Sequence, residues 1–401
     1  MKWLADLGIG KKIAGGFAIL AIIMAATVII AIIQIHKSHE INMRVFSLRT
    51  PTVLATKHML NGIHHSLAEL RGYMILGADK FKAGRGEAWE KIDSGYVDMT
   101  KYSRRWTNPA NVEKLKGLGV VLKEFRQAQQ EIEDISGTIE DTPATKILVQ
   151  EAAPLAAVMV SQITKIINME EKLPATPERK AFLGMMADVR GTTGLSLANI
   201  RAFLLTGDEK FSKAFDKFWA KNGKRYGDLS NNAYLFSPEQ KVAFKEFSSA
   251  REEFKGLPPK MFKIRGSKGW KLSNLWLGTK AAPRAGQLIK TLATMFKNQQ
   301  ALADADIALA SSTSSELKTF MAILGAISVV IAILVAFFVV RMITKPVARA
   351  VAGIQTIAQG DLTQRWEVNS NDELGRMLNS MNDMADSLTE VVTDVRKGSD
   401  T

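Results

Sequence analysis

Two arginines in the 401-residue chain lie in matching apolar surroundings and have the chemistry to bind an anion. Arg71 stands in a Leu-Arg-Gly-Tyr sequence and Arg201 in an Ile-Arg-Ala-Phe sequence. A guanidinium suits a carboxylate because its planar donors pair with both oxygens at once. Tyr73 adds a hydroxyl near the first arginine. The structural alternatives are salt bridges within a helical bundle for both arginines and simple packing for Tyr73.

Three of the five histidines, His58, His64 and His65, come nearest to a metal-binding pattern. His58 and His65 share a helical face at a spacing of seven, whereas metal-binding pairs on a helix are normally three or four residues apart. The chain has no cysteine, and no carboxylate completes a ligand set. Ser-His-Asp, phosphate-loop and His-Glu-x-x-His arrangements are also missing from the sequence. We therefore predict no metal, no cofactor and no enzymatic activity.

Two apolar runs place these residues relative to a membrane. Residues 13–35 and 320–340 carry no formal charge. A helix rises about 1.5 Å per residue, so either run crosses a hydrocarbon core about 30 Å thick. We predict transmembrane helices over 13–35 and 319–341. The first run is too long for the apolar part of a cleaved signal peptide, so we interpret it as an anchor.

Basic residues beside the two spans predict the topology. Lys2, Lys11 and Lys12 precede the first span, and Arg341 and Lys345 follow the second. The positive-inside rule then makes residues 1–12 a cytoplasmic N-terminus and places residues 36–318 outside. The formal net charge of +13 partly reflects this signal, so it does not indicate nucleic-acid binding. Without cysteine, the exported domain depends on apolar packing for its stability.

The segment between the spans is predicted to be all-helical and duplicated. Apolar residues recur at spacings of three and four, and prolines fall between such stretches. The sequence from Ser66 to Arg71 realigns with that from Ser196 to Arg201 at an offset of 130. The same offset relates four further pairs: Gly77 and Gly207, Trp89 and Trp219, Tyr96 and Tyr226, and Asp98 and Asp228.

We place the two copies at about 57–173 and 187–303. Each copy reads as about four helical segments, which predicts two four-helix bundles. In both copies a helix ends at a glycine, Gly77 or Gly207, and a new helix start follows.

Short heptads follow the second span. Val347, Val351, Ile354 and Ala358 step by four, three and four, and a second series repeats the pattern: Leu374, Met377, Met381, Met384, Leu388, Val391 and Val395. Two such helices joined by a polar connector form a parallel four-helix coiled coil when two chains associate. Each helix alone is too short to be stable in water, so we predict a homodimer.

This region resembles the HAMP linker of bacterial transmembrane receptors. The resemblance rests on Pro346 after the span, Gly360-Asp361-Leu362 in the connector and Asp372-Glu373-Leu374-Gly375 at the start of the second helix. We assign the HAMP domain to 342–395 and the start of a signalling helix to 396–401. The resemblance implies that Pro346, Gly360 and Glu373 take part in signal relay.

The tail Leu388–Arg396 and the opening Leu7–Lys12 are similar to those of methyl-accepting chemotaxis proteins. With its duplicated helical domain the chain looks like a chemoreceptor with a helical bimodular ligand-binding domain, truncated before the signalling domain. That resemblance implies a multi-pass protein of the bacterial inner membrane with a periplasmic sensor. It also implies a chemotaxis adaptor and a histidine kinase as partners, reached through a signalling domain that this chain lacks.

The resemblance further implies a small organic acid or other anion as the ligand, bound by arginines on helix faces. Family members that bind dicarboxylates use a second arginine about one turn away, and neither Arg71 nor Arg201 has one. This departure disfavours a dicarboxylate.

Two other functions fit parts of the sequence. A sensor histidine kinase has the same spans and HAMP, but a His-box helix would follow them. A membrane-anchored receptor for a partner protein is the second alternative. It would use residues 255–284, which contain eight basic and no acidic residues, to dock an acidic protein or lipid. The matching stretch of the first copy, 131–154, has six acidic residues.

Overall fold

The structure is a computed structural model and describes residues 7–399, of which residues 398 and 399 are described in backbone only. Every regular element in this range is helical, as the sequence predicts. The parts of the predicted cytoplasmic N-terminus and signalling helix at 1–6 and 400–401, including Lys2, lie outside it. We number the helices as follows: α1 Ile9–Arg44, α2 Thr50–Leu76, α3 Asp79–Ser103, α4 Pro109–Ile135, α5 Pro143–Ile147, α6 Ala153–Glu170, α7 Pro177–Thr206, α8 Glu209–Asn231, α9 Pro238–Lys255, α10 Leu257–Arg265, α11 Leu272–Trp276, α12 Ala282–Val339, α13 Lys345–Ala358 and α14 Glu373–Ser399.

The chain divides into two compact units, one formed by residues 51–299 and one by residues up to 50 and from 300 onward. The second unit contains both predicted spans and the helices after them. Between the two predicted spans in sequence, Asp306 of α12 pairs with Arg44 at 3.3 Å and with the buried Arg49 at 3.0 Å. These ion pairs fix the end of α1 against α12, because leaving a buried guanidinium unpaired is costly.

Within residues 51–299, α2, α3 and α4 form one bundle, which we call bundle A. The amide of Gln129 on α4 joins the three helices: it accepts from Trp89 Nε1 of α3 at 2.8 Å and donates to Ser66 of α2 at 3.1 Å. The start of α12 completes the bundle. Its Arg284 bonds to Glu124 of α4 at 2.9 Å, and its residues Leu288 and Leu292 are buried.

The second bundle, bundle B, consists of α6, α7, α8 and α9. Its core holds Met159 and Ile163 of α6 together with large aromatic residues, among them Phe182 and Phe247. Each four-helix bundle therefore contains three helices of one repeat copy and the fourth helix of the other. The fourth helices are exchanged between the copies.

Within residues 7–399, three helical stretches are long and apolar enough to cross a membrane, and two of them contain the predicted spans. The third, Pro143–Glu170, has a mean hydropathy of 1.4 against 2.9 and 3.1 for the others. Its buried residues Ala156, Met159, Ile163 and Glu170 follow one helical stripe. Since that stripe packs inside bundle B and includes a carboxylate bonded to Arg179 and Gln240, the apolar character of α6 is explained by the bundle core.

The predicted glycine ends are confirmed in both copies. Gly77 and Gly207 have φ of +65° and +71°, and their N–H groups bond to the carbonyls of Tyr73 and Phe203. This is the left-handed ending that glycine adopts without steric cost.

Two connections carry the chain between the bundles, and a buried carboxylate ties them together. Asp141, 2% exposed, lies between α4 and α5; it accepts from the backbone N–H of Ser273 at 2.7 Å and from the Ser273 hydroxyl at 3.0 Å. Lys271 in the return connection approaches the same carboxylate at 4.0 Å and bonds to the carbonyl of Met74 at the end of α2.

We predict that Asp141→Ala lowers the free energy of unfolding by about 3 kcal/mol, because it removes a buried acceptor from two donors and a nearby ammonium. Thermal unfolding of the membrane-reconstituted chain is the measurement. The control is Asp134→Ala, an exposed carboxylate on α4. Equal effects of the two changes would show that Asp141 does not hold the connections together.

Candidate functional site

Arg71 and Arg201 occupy equivalent places near the ends of α2 and α7, and both are exposed. One turn further along, each is followed by a large apolar residue that is almost fully exposed: Ile75 at 78% and Leu205 at 84%. An exposed cation beside an exposed apolar side chain therefore recurs at the same place in both copies.

The two arginines belong to outward stripes with steps of three and four. The residues of the α2 stripe are Leu54, Lys57, Asn61, His64, Ala68, Arg71 and Ile75, all exposed. The residues of the α7 stripe lie at the offset of 130 and are also exposed: Gly184, Ala187, Gly191, Gly194, Ala198, Arg201 and Leu205. Steps of this kind are the pattern by which one helix packs along another.

The α7 stripe is made of glycine and alanine until it reaches Arg201. Small side chains allow two helix backbones to approach closely. The geometry therefore suits a second helix lying along α7, with Arg201 at the end of the contact.

Tyr73 is not brought together with Arg71. Two residues along a helix point in nearly opposite directions, and the half-buried Tyr73 ring packs with Lys82 of α3, whose Nζ lies 4.6 Å from the ring centroid. The neighbouring His65 bonds to Glu69 at 3.0 Å. Both side chains serve contacts within or along the bundle.

The other candidate residues lie after the second span. Gly360 has φ of +90° and ends α13, and Asp361 then caps the turn by accepting from the N–H of Thr363 at 3.0 Å. Two hydrogen bonds hold the connector against α14. The side chain of Asn382 accepts from the N–H of Trp366 and donates to its carbonyl, each at 2.9 Å.

Asp372 caps the start of α14. Its Oδ1 accepts from the N–H of Gly375 at 3.0 Å, while its Oδ2 pairs with Lys12 of α1 at 2.5 Å. Burial alone would raise the pKa of Asp372, but hydrogen bonds from Lys12, the Ser370 hydroxyl and the Gly375 N–H together hold it below its ordinary value. Pro346 lines the same hollow as Lys12 and Asp372.

Glu373 caps a different helix. Its Oε2 accepts from the backbone N–H of Ile9, the first residue of α1, at 2.8 Å. The residue before Ile9 is Gly8, which has no side chain to supply a cap, so a free N–H of the first turn is satisfied by a residue 364 positions away. The bond to Ile9 is the main cause that lowers the pKa of Glu373.

Gly375 has a steric reason to be glycine. A Cβ at this position would lie 1.7 Å from the carbonyl oxygen of Ser370, a distance that no side chain tolerates. The Asp-Glu-Leu-Gly sequence thus supplies a cap for α14, a cap for α1 and a place where the connector passes close to α14.

Apolar residues remain exposed on both helices of this region. Packing of α13 on α14 buries Ala350, Leu378 and Met381. The predicted heptad residues that stay exposed are Val347, Val351, Ile354, Ala358, Met384, Leu388, Val391 and Val395. Such a stripe on two short helices is what a parallel coiled coil with a second chain buries.

Comparison with known proteins agrees with this geometry. The profile of the HAMP domain matches residues 338–390. The chain carries a HAMP domain.

Similar curated proteins are methyl-accepting chemotaxis proteins, each matched over part of the chain. Methyl-accepting chemotaxis protein TlpA of Bacillus subtilis is 54% identical over 52 residues, 13% of this chain and 8% of that protein. McpS of Pseudomonas putida is 28% identical over 106 residues, 26% of this chain and 17% of the relative. The methyl-accepting chemotaxis citrate transducer of Salmonella typhimurium is 36% identical over 80 residues, which are 19% of this chain and 15% of that protein. The matches thus cover less than a fifth of each relative.

The sequence reasoning missed Lys12 and Asp372 as a pair. The sequence indicates Lys12 as a topology signal and as part of the opening Leu7–Lys12, and Asp372 as part of the HAMP motif. Two features of the sequence indicate such a contact. Gly8 leaves the start of α1 without a side-chain cap, and two adjacent carboxylates that could supply one, Asp372 and Glu373, follow the connector.

We predict that Glu373→Ala speeds hydrogen exchange of the Ile9 amide by roughly three- to tenfold, as expected for the loss of one helix cap. Mass spectrometry of the reconstituted chain measures it, with Glu390→Ala on the exposed face of α14 as control. The pKa of Glu373 is lowered in the folded chain. At a pH above the ordinary glutamate pKa of about 4.3, the ionised carboxylate therefore accepts fully from the Ile9 N–H, and this bond is lost as the pH falls through the lowered pKa. The parent and the variant should therefore converge in acid; a difference that persists there contradicts the assignment.

Proposed function

We propose that the chain is the sensing and relay part of a homodimeric transmembrane chemoreceptor for a small extracytoplasmic ligand, an organic acid or another anion. The observation that carries this proposal is the pair of exposed arginines at matching places on two repeated outward stripes. The HAMP match and the chemotaxis relatives support an output to the chemotaxis machinery.

In this proposal α1 and α12 cross the inner membrane, both ends face the cytoplasm and residues 36–318 face the periplasm. The apolar stretches of both helices and the basic residues beside them support the arrangement. Two copies associate along the α2 and α7 stripes outside and along the exposed heptads of α13 and α14 inside.

Ligand binding beside Arg71 or Arg201 would then favour one packing of the stripes over another. A ligand shifts such an equilibrium only by its difference in affinity for the two packings. The second span would carry the bias to the HAMP domain, where Pro346, Gly360 and Glu373 shape the helix starts and ends that a change of packing must alter.

The first test concerns the association of two chains. Since the chain has no cysteine, Ala198→Cys introduces a single thiol on the α7 stripe. We predict a disulfide-linked dimer on mild oxidation in the membrane, because small stripes bring the backbones within disulfide distance. Lys217→Cys, exposed on α8 away from the stripe, serves as the control and should remain monomeric. Equal cross-linking of the two variants would contradict the proposed interface.

The second test concerns the ligand. Calorimetric titration of the reconstituted chain with acetate, malate and citrate at constant ionic strength should find a binder. Arg71→Gln or Arg201→Gln should weaken that binding at least about tenfold, because a charge-assisted contact is lost. Arg190→Gln, an exposed arginine of α7 off the stripe, is the matched control. If no acid binds, or if both variants bind like the parent, the anion site proposed here does not exist.

A further inference from the structure

Arg251 of α9 is a half-buried cation inside bundle B that faces α8. Its guanidinium carbon lies 4.7 Å from the ring centroid of Trp219 and 4.5 Å from that of Tyr226. Its Nε donates to Oδ1 of Asn222 at 3.2 Å. The two aromatic rings and the amide fix the position of the guanidinium and leave the donors of its two Nη atoms for another partner.

Asn222 is itself held in one orientation. It is fully buried, and its Nδ2 lies 3.0–3.1 Å from the carbonyl of Val189 and from the hydroxyl oxygens of Thr192 and Thr193. The nitrogen end of the amide is therefore occupied by three acceptors on α7. The oxygen end must face Arg251, so the arginine is positioned by a buried network.

Asp188 of α7 and Asp228 of α8, two carboxylates on the neighbouring helices, are bonded to other cations. Asp188 pairs with Lys221 at 2.8 Å and with Arg225 at 2.9 Å, and Asp228 pairs with Arg225 at 3.3 Å. Among residues 7–399, Arg251 forms no ion pair. Burial lowers the pKa of Arg251, and the nearby Tyr226 and Glu252 offset this lowering only in part.

The first repeat copy also stacks an arginine on the equivalent tryptophan, and there a carboxylate is bonded to it. Arg126 lies 4.1 Å from the centroid of Trp89, and its Nη2 donates to both oxygens of Asp93 at 2.6 Å. The offset that relates Trp89 to Trp219 carries Asp93 to position 223, which is a glycine. A Cβ added to Gly223 would lie 3.4 Å from Nη2 of Arg251. The second copy therefore also has an arginine on this tryptophan, supplied from a different sequence position because Arg126 realigns with Gly256, and it has glycine where the first copy has Asp93.

We propose that Arg251 binds one carboxylate group of a small organic anion, in the place that the Asp93 side chain occupies in the first copy. Trp219 and Tyr226 form the walls of this site and Asn222 positions the guanidinium. The site is inside bundle B and separate from the outward stripes, so it does not depend on the roles proposed above for Arg71 and Arg201.

The experiment measures acetate and benzoate binding to the reconstituted full chain by calorimetry, with chloride keeping the ionic strength constant. All variants are made in the Arg71→Gln, Arg201→Gln background, which separates this site from the stripe site. Gly223→Asp supplies the missing carboxylate within the chain, and Gly86→Asp makes the same change at an exposed, open position of α3. Arg251→Gln removes the cation.

We expect the background chain to bind at least one of the two acids. Gly223→Asp and Arg251→Gln should each weaken that binding at least about tenfold, and Gly86→Asp should change it less than about twofold. Gly223→Asp should also raise the thermal midpoint relative to Gly86→Asp, so its loss of binding cannot come from unfolding. Absence of binding to the background chain, or unchanged binding in Gly223→Asp, overturns the proposal. Either result leaves the stripe site untouched.

Discussion

The stacking of bundle A and bundle B depends on the carboxylate of Asp141. The chain passes from one bundle to the other twice, and irregular backbone at such crossings has donors that must be satisfied. Asp141 in the first connection accepts hydrogen bonds from the N–H and the hydroxyl of Ser273 in the return connection. Because both crossings meet at this group, the bundles keep one arrangement without a disulfide or a metal among the described residues.

Charge complementarity between the two crossings explains an asymmetry that sequence alone left open. Residues 255–284 are basic and residues 131–154 are acidic, and the structure shows that they are partners: Lys280 bonds to Glu131 at 2.6 Å and Lys271 approaches Asp141. Arg265 contacts Trp270 and the carbonyl of Leu204 in the same unit. Several cations considered for docking an acidic partner are thus used within the chain, which favours the receptor interpretation over a docking surface.

Much of the fold followed from local patterns. The all-helical class, the apolar stretches that can span a membrane, the glycine ends at Gly77 and Gly207 and the HAMP region depend on periodicity or single residues that sequence displays directly. Helix exchange did not follow, because an apolar stripe shows which face of α6 is buried but not which helices cover it. The pairing of Lys12 with Asp372 was missed for a similar reason: 360 residues separate them. Arg71 and Arg201 lie at equivalent exposed positions of the two copies, and their role in ligand binding stays a prediction. Arg251 could not be found from the sequence, because its contacts with Trp219 and its closeness to Gly223 depend on the packing of α8 against α9.

The exchanged fourth helices also set the order in which the bundles become complete as the chain is made. All four helices of bundle B lie between Ala153 and Lys255, so it closes from contiguous sequence. Bundle A begins at Thr50, but its fourth helix starts only at Ala282. Completing it closes a loop of roughly 150 residues between the end of α4 and the start of α12. During synthesis the first three helices of bundle A are therefore exposed on one side while bundle B folds, and bundle A becomes complete only when its last helix is added.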